Sequence, residues 1–462
     1  MAARGARGCP TQWLPHAVAA ACDAGDAIYH GRNLFSEELF VPSFSVPSTS
    51  LRIGLVGFGT VGSAVARILM DSAPSGLALT MIANRSVARK RVDWIPSSVI
   101  WTESVDELLA PGAPVDLLVE LVGGLDPAGD WVRRALTAGK SVVTANKKLV
   151  AFHGPELESL ARAHNAHLLF GAAVAGGIPV IPGIEHGLSG DRITRVEGIL
   201  NGTCNFILSA MESGSDYATV LADAQRRGYA EADPTEDVGG FDARAKLAIL
   251  MRLAMRVHVA PEEIATRPIT TVSAVDFAYA AELNSTIRQI ARAEITSAGL
   301  AAVVSPMLIP RRSPLAWSTG TENMVVTTGA HGGDVVFSGH GAGGHPTAVA
   351  VVSDLVNLAH GLGRAPVPFT AANVSAEPEA PHYIRFLVRD RPGIVAAIAG
   401  ALAAEDINLN AILQKPDCPA ENLPFVVTVE PCRASCLARA LAAITRMDFV
   451  LTPPLDMQIL EK

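Results

Sequence analysis

The chain lacks any uninterrupted apolar run of about 18 residues, the length a helix needs to cross a bilayer, so no membrane span is expected. It is also short of positive charge. Lys and Arg number 37 against 45 Asp and Glu, a net charge of -8. A nucleic-acid partner would require a basic face, so none is expected. Cysteine is sparse, with six residues scattered at positions 9, 22, 204, 418, 432 and 436. Cys432 and Cys436 can share a helix face, but no second pair and no neighbouring histidines complete a zinc pattern. Reduced thiols in a cytoplasmic protein are the simpler account. Aromatics make up only 5% of the chain, which is otherwise rich in Ala, Val and Leu, a globular composition. At roughly 150 residues per domain, its 462 residues suggest about three domains.

Residues 1–50 lack a hydrophobic period. Their alanine-rich patch is too short for a signal-peptide core, and Asp23, Asp26, Glu37 and Glu38 do not suit a transit peptide. Pro42, Pro47 and the Ser-Thr-Ser at 48–50 read as a linker. This segment is expected to be a poorly ordered extension without a functional role.

What is present begins at residue 51. Residues 51–56 form an apolar, partly β-branched run, then come Gly57-Phe58-Gly59-Thr60-Val61-Gly62 and a helical pattern through Val65, Ile68 and Leu69. Strand, G-x-G-x-x-G and helix stand in the order of a dinucleotide-binding unit. Gly57 allows the tight turn, Gly59 lets the backbone approach a pyrophosphate, and Gly62 lets the helix pack on the strand. The next strand, 77–83, ends not in an acid but in Asn84-Arg85-Ser86, with Arg89 and Lys90 beyond. A cation there fits a 2′-phosphate, which favours NADP or use of both cofactors. Arg85 as a solvated turn residue is the alternative. Further buried strands are expected at 115–122 and 141–144, the latter ending in Ala145-Asn146-Lys147-Lys148. Ligands bind at the carboxyl ends of such strands, so Lys147 should face cofactor or substrate and Lys148 solvent.

A short strand at 167–170 leads into a small-residue loop, 171–179, whose carbonyls can hold a monovalent cation or simply allow close packing. A strand at 192–199 precedes Leu200-Asn201-Gly202-Thr203-Cys204. The stretch 228–246 then crowds Glu231, Asp233, Glu236, Asp237 and Asp242 around Pro234, Gly239 and Gly240. A helix is expected to begin near Asp242, placing Asp242 and Lys246 four apart on one face. A lysine held by carboxylates can stabilise and protonate a developing alkoxide. Taken alone, the pair reads more readily as an acidic first turn with an ordinary exposed ion pair, and the motifs before it in the chain reverse that balance. Strands are expected at 270–280, 303–310, 323–328 and 334–338, then a glycine-rich loop and a helix over 347–361. The histidines at 331, 340 and 345 read as surface loop residues.

These motifs together resemble the homoserine dehydrogenases. They are GFGTVG at 57–62, ANKK at 145–148, AAVAGGIP at 172–179, GILNGTCNFIL at 198–208, GYAEADPTEDVGGFDARAK at 228–246 and GAGGHPTA at 341–348. The resemblance implies reduction of L-aspartate 4-semialdehyde to L-homoserine with NAD(P)H, on the route to threonine, methionine and isoleucine. It implies Lys246 as the proton donor, Lys147 as a second lysine near nicotinamide and substrate, and Asp242 as an acid that completes the substrate pocket and orients Lys246. Glu231 is implied for the substrate ammonium, and Asp237 for the same pocket. Phe58, Thr60, Val61, Lys147 and Gly343 are the implied cofactor contacts, beside Gly57, Gly59, Gly62 and Arg85 read above from the turn and the strand end. The backbones of Val174, Gly176 and Ile178 match a sodium site, although Gly171 stands where the family has an oxygen ligand. Cys204 stands where a hydroxyl residue is usual, a weaker donor.

Residues 366–380 are rich in Pro, Ala and Glu, a linker by composition. After them the pattern is β-α-β-β-α-β, and RDRPGIVAAIAGALAAEDINL at 389–409 resembles the ACT domain. A regulatory role, with L-threonine as the expected inhibitor, is favoured over a purely structural dimerisation module, because an end product must be sensed away from the active site. Deleting 381–462 is expected to abolish threonine sensitivity and spare catalysis. The expected fold is therefore α/β: a Rossmann-type domain over 51–185, an α+β substrate and dimerisation domain over 186–345, and a helix over 346–365 returning to the first. The linker and a ferredoxin-like ACT domain over 381–462 complete it, in a homodimer or homotetramer. Two other readings are an amino-acid sensor on a dead dehydrogenase and a dehydrogenase of another small amino or hydroxy acid. The retained Glu231, Lys147, Asp242 and Lys246 argue against the first, and the 228–246 motif against the second.

Overall fold

The computed structural model describes residues 50–364, 368–377, 379–416 and 418–461. The N-terminal extension, apart from Ser50, lies outside them, as do residue 365 of the expected returning helix and residues 366, 367 and 378 of the expected linker.

Six parallel strands form the first sheet: β1 (Leu51–Val56), β2 (Leu77–Ala83), β3 (Ile100–Thr102), β4 (Leu117–Glu120), β5 (Ser141–Thr144) and β6 (Leu168–Leu169). Their order is β3-β2-β1-β4-β5-β6. The chain therefore winds outward in both directions from β1, leaving a crevice at the carboxyl ends of β1 and β4. Both faces of the sheet are covered, which is why β1 and β4 read as continuous apolar runs. Ile53, Leu55, Leu118 and Val119 are fully buried. Helix Thr60–Ser72 packs against helix Gly344–Ala359, and Val65, Leu69, Ala348, Val351 and Leu355 share one core cluster with Ile53.

The second sheet is largely antiparallel. It contains β7 (Ile193–Ile199), β9 (Ala265–Thr266), β10 (Ser285–Thr296), β11 (Gly299–Pro310), β12 (Glu322–Gly329) and β13 (Gly333–His340), in the order β13-β12-β7-β10-β11-β9. A separate pair joins β8 (Val257–His258) to β14 (Thr370–Ala371). The strand expected over 270–280 is absent. Residues Ile269–Thr271 form a 3-10 turn, and Ala274–Glu282 is an α-helix. The β-branched run Ile-Thr-Thr-Val misleads here, because Ser273 and Asp276 form a reciprocal capping box that starts a helix. The long central strand β10, Ser285–Thr296, carries the sheet instead and had no distinct signal.

The third sheet is antiparallel, with β15 (Ala380–Val388), β16 (Leu409–Gln414), β17 (Leu423–Cys432) and β18 (Leu455–Gln458) in the order β16-β17-β15-β18. Helices Ile394–Ala403 and Ala434–Thr445 complete the β-α-β-β-α-β pattern. This unit is not loosely tethered. Tyr383, Val426 and Met457 are buried in one cluster with Tyr279, Ile287 and Leu308 of the second sheet and its helices. Each such buried side chain contributes roughly 1.5–3 kcal/mol. Leu460 N donates to Leu308 O at 2.8 Å, tying the chain end to β11. Excising 381–462, expected to spare catalysis, would uncover this shared core.

Candidate active site

The glycine turn follows β1 directly. A Cβ on Gly62 would collide with the Gly57 carbonyl, so the helix can close on the turn only with glycine there. A Cβ on Gly59 would meet no protein atom. Glycine at 59 therefore answers to no packing demand and leaves the space above the turn open. Gly59 and Thr60 are exposed, Gly57 and Val61 half-buried. Phe58 is different: its side chain is buried against Trp101, with ring centroids 4.9 Å apart, and its amide donates to Asn84 Oδ1 at 3.2 Å. Arg85 is exposed at the end of β2. The loop before helix Gly344–Ala359 closes on the turn, since a Cβ on Gly344 would lie 2.9 Å from Thr60 Cγ2. This brings Gly343 beside the same crevice.

The other side of the crevice is built from buried polar groups that sequence reasoning had passed over. Glu120, at the end of β4, is fully buried, and its Oε1 accepts from Val122 N at 2.7 Å and Gly123 N at 2.9 Å. Its Oε2 accepts from Thr144 Oγ1 at 2.7 Å, coupling the ends of β4 and β5. Asn146 caps helix Lys147–Ala163 by accepting from Leu149 N at 3.1 Å, and it donates to Gly124 O at 2.6 Å. Lys147 is thus held as the first residue of that helix. A cation there opposes the helix dipole and needs an anion close by.

Asp242 supplies it. Gly240 takes a left-handed backbone (φ 84°), and helix Phe241–Leu250 starts at once, with Asp242 in its first turn. Asp242 is 4% exposed, and its Oδ1 pairs with Lys147 Nζ. Lys246 Nζ donates to Asp242 Oδ2 at 2.8 Å and to Leu200 O at 2.7 Å. One carboxylate therefore joins a lysine of the cofactor sheet to a lysine of the second sheet's helix. Asn201 Nδ2 donates to Asp242 Oδ2 at 2.9 Å and to Asp237 Oδ1 at 2.7 Å. Cys204 Sγ donates to Asp237 O at 3.1 Å, so the thiol keeps a partner where a hydroxyl was the expectation. Glu231 is exposed, with no side-chain bond among the described residues. Lys148, expected to face solvent, pairs with Glu236 at 3.0 Å across the same junction while staying half-exposed.

The electrostatics follow from burial and from these pairs. Burial opposes the Asp242 charge, but the two lysines hold it below the usual carboxylate range. Burial pushes the Lys246 ammonium down from the ordinary lysine value, with Asp242 resisting and Lys147 adding to the fall. Burial works against Lys147 as well, but Asp242, Asp237 and Glu236 outweigh it and its pKa rises. Asp237 is raised by burial and by the Asp242 charge, against the Asn201 hydrogen bond. A lysine that gives up its proton more readily than usual, next to one that keeps its charge, suits protonation of an oxyanion.

The loop 174–178 borders the same region, with Gly177 N donating to His340 O at 3.3 Å. Ala175 and Gly176 take left-handed backbone, with φ of 57° and 52°. Beside it, Gly171 N donates to Asp354 Oδ2 at 2.8 Å, and a Cβ at 171 would lie 2.9 Å from Asp354 Oδ1. Burial raises the Asp354 carboxyl to about 7. Among the described residues no three His, Cys, Asp or Glu side chains gather as a metal site, and no helix is long and apolar enough to cross a membrane.

Comparison with known proteins agrees with this geometry. The homoserine dehydrogenase NAD-binding domain matches residues 57–171, the homoserine dehydrogenase domain 179–356 and the ACT domain 382–447. The homoserine dehydrogenase of Corynebacterium glutamicum is 37% identical over 441 residues, covering 88% of this chain and 98% of its own. A crystal structure of a homoserine dehydrogenase from Thiobacillus denitrificans superposes with a TM-score of 0.81 at 33% identity, over 89% of this chain and 99% of that one. A hyperthermophilic archaeal homoserine dehydrogenase in complex with NADPH superposes with a TM-score of 0.58 at 26% identity, over 67% of this chain and 97% of that one. A dinucleotide turn facing two lysines on one buried carboxylate, with these matches across nearly the whole chain, places the protein in the homoserine dehydrogenase family.

Proposed function

We propose that Lys246 delivers the proton when this enzyme reduces L-aspartate 4-semialdehyde to L-homoserine, on the route to threonine, methionine and isoleucine. The observation that carries the proposal is the Asp242 carboxylate bound by Lys246 on one oxygen and Lys147 on the other. Bound in the crevice, the nicotinamide supplies a hydride to the aldehyde carbon. The chain's own groups do the rest. Lys246 stabilises the charge that grows on oxygen and gives it a proton, while Asp242 keeps the ammonium aimed. Lys147, at the end of β5, adds a fixed positive charge beside cofactor and substrate. Glu231, exposed at the rim, takes the substrate ammonium, and Asp237 completes the pocket.

Gly57, Gly59, Thr60, Val61 and Gly62 would hold the cofactor, together with Lys147 and Gly343. Phe58 shapes the turn from beneath. NADP is the preferred form, supported by the exposed Arg85 at the end of β2 and by the NADPH bound to the archaeal neighbour. A sodium ion on the carbonyls of Val174, Gly176 and Ile178 belongs to this reading. The buried left-handed turn at 175–176 supports it, as does the Asp354 carboxylate beside Gly171. L-Threonine is the proposed effector of the ACT unit, and the assembly a homodimer or homotetramer, supported by the exposed apolar Ile295 and Val336 of the second sheet. Division into a cofactor domain over 51–185, a substrate domain over 186–345, a segment from 346 that returns along helix Gly344–Ala359, and an ACT domain from 381 goes with it. Free Cys204, Cys418, Cys432 and Cys436 support a cytoplasmic setting.

Steady-state rates with the semialdehyde test this, with NADPH or NADH, with and without sodium and threonine. Lys246→Ala should lower kcat by about 10² to 10⁴, the range for loss of a positioned acid catalyst, while NADPH still binds. Turnover near that of the unaltered enzyme would refute the role of Lys246.

A further inference from the structure

Asn201 commits both amide hydrogens and its amide oxygen at the lysine site. It is 4% exposed and stands between β7 and helix Gly202–Glu212. Its Oδ1 accepts from Cys204 N at 2.8 Å, capping that helix. Its Nδ2 donates to Asp237 Oδ1 at 2.7 Å and to Asp242 Oδ2 at 2.9 Å. The carbonyl of the preceding Leu200 accepts from Lys246 at 2.7 Å. Residues 200 and 201 therefore give one acceptor to the lysine and two donors to the acids.

The two acids need such a group. Their charges repel, and Asp237 is close enough to Asp242 to feel it. A neutral amide reaching both satisfies an oxygen of each without adding a charge of either sign. A lysine in that place would compete with Lys246 for Asp242, and a third carboxylate would worsen the repulsion. The amide is also rigidly mounted, since β7 is paired on both sides, with β10 and with β12. We infer that Asn201 is a positioning residue for the reaction: it fixes Asp237 and Asp242 relative to each other, and through Asp242 it aims Lys246. This inference rests on the role of Lys246 proposed above.

A plain helix cap makes a different prediction, and that allows a test. Asn201→Asp keeps the cap, because Asp accepts from Cys204 N as well as Asn does. It loses both donated hydrogen bonds and adds a charge. Asn201→Ser keeps a cap and one donor. The measurements are kcat, KM and full pH–rate profiles for both variants, with NADPH affinity by fluorescence and folding by thermal melt. For Asn201→Asp we expect kcat to fall about 10²-fold, as for a catalytic group displaced by about 1 Å, with NADPH affinity little changed. The acid limb of the profile should move to higher pH. Asn201→Ser should fall in between. If Asn201→Asp folds and keeps turnover within threefold with an unmoved profile, Asn201 is a cap and the inference is overturned. If Asn201→Asp does not fold, the serine variant decides: an unmoved profile overturns the inference and a moved one upholds it. Failure of the Lys246 role would show separately, as undiminished turnover in Lys246→Ala.

Discussion

The second sheet shares an apolar core with each of its two neighbours, Leu149 with Leu247 on one side and Tyr383 with Ile287 on the other, but the polar groups at the two junctions differ. Against the cofactor sheet the contact near the site is ionic: Lys147 with Asp242, Lys148 with Glu236, and polar Asn201 behind them. Both lysines from the cofactor side stay 39% exposed. Against the ACT unit the middle of the contact is apolar, with the ion pairs Arg267–Asp456 and Lys415–Glu282 beside it. Tyr383, Val426 and Met457 are buried, and the carboxylate among them, Asp276, is sealed and fully bonded. Its Oδ2 accepts from Ser273 N and Oγ, and its Oδ1 from Tyr383 Oη and Arg385 Nε, each of the latter at 2.8 Å. One Asp276 side chain thus caps a helix of the catalytic half and anchors a strand of the ACT unit. The difference has a physical reason. A junction that admits cofactor and substrate must stay wet and carry its energy in charges that the ligands can share. A junction that only transmits position can be packed like a core.

The contrast can be broken from either side. The largest expected effect is at the wet junction. Asp242→Asn leaves two lysines facing each other without an anion, and turnover should fall by at least about 10². Unfolding by denaturant should also show a loss of stability in that variant, since the buried Lys246 ammonium is left without its anion. A collapse in stability with unimpaired turnover of the folded fraction would erase the distinction. Next comes the junction with the ACT unit. Tyr383→Ala removes a buried ring and leaves Asp276 short of a donor, so stability should fall by about 3–5 kcal/mol. Here turnover of the folded enzyme should stay close to normal, and a threonine response, if present, should weaken. The smallest effect is on pH dependence. Reduction needs charged Lys246, and its pKa lies below that of an ordinary lysine. The reductive rate should therefore begin to fall, as pH rises, below the usual lysine range near ~10.4. Oxidation of homoserine needs the neutral amine and should rise over the same interval. A reductive rate that is flat up to that range would remove Lys246 from the proton path.

Local chemistry made much of this legible in the chain. Gly57 to Gly62 after an apolar run, Lys147 after a strand end, and the Asp242–Lys246 spacing are short-range signals, and each element formed within a few residues of its expected place. The misreading of 270–280 came from β-branched residues outweighing the Ser273–Asp276 capping box in the reading, though not in the fold. Glu120, Asn146 and Asn201 were missed because nothing in a neighbouring stretch marks a buried polar residue. Their partners lie up to 41 positions away.

By itself, then, the sequence determined the units of the chain, the turn that takes a dinucleotide, and which lysines and acids carry charge. Periodicity, glycine placement and helical spacing operate over a few residues and need no knowledge of the rest. Only the tertiary structure decided that Lys147 and Lys246 share one carboxylate, that Asn201 ties two acids together, and that the ACT unit, beside its own core around Phe386, shares a second core with its neighbour. Those outcomes depend on which elements are brought face to face, and burial there sets both the charge states and the cost of an unpartnered group.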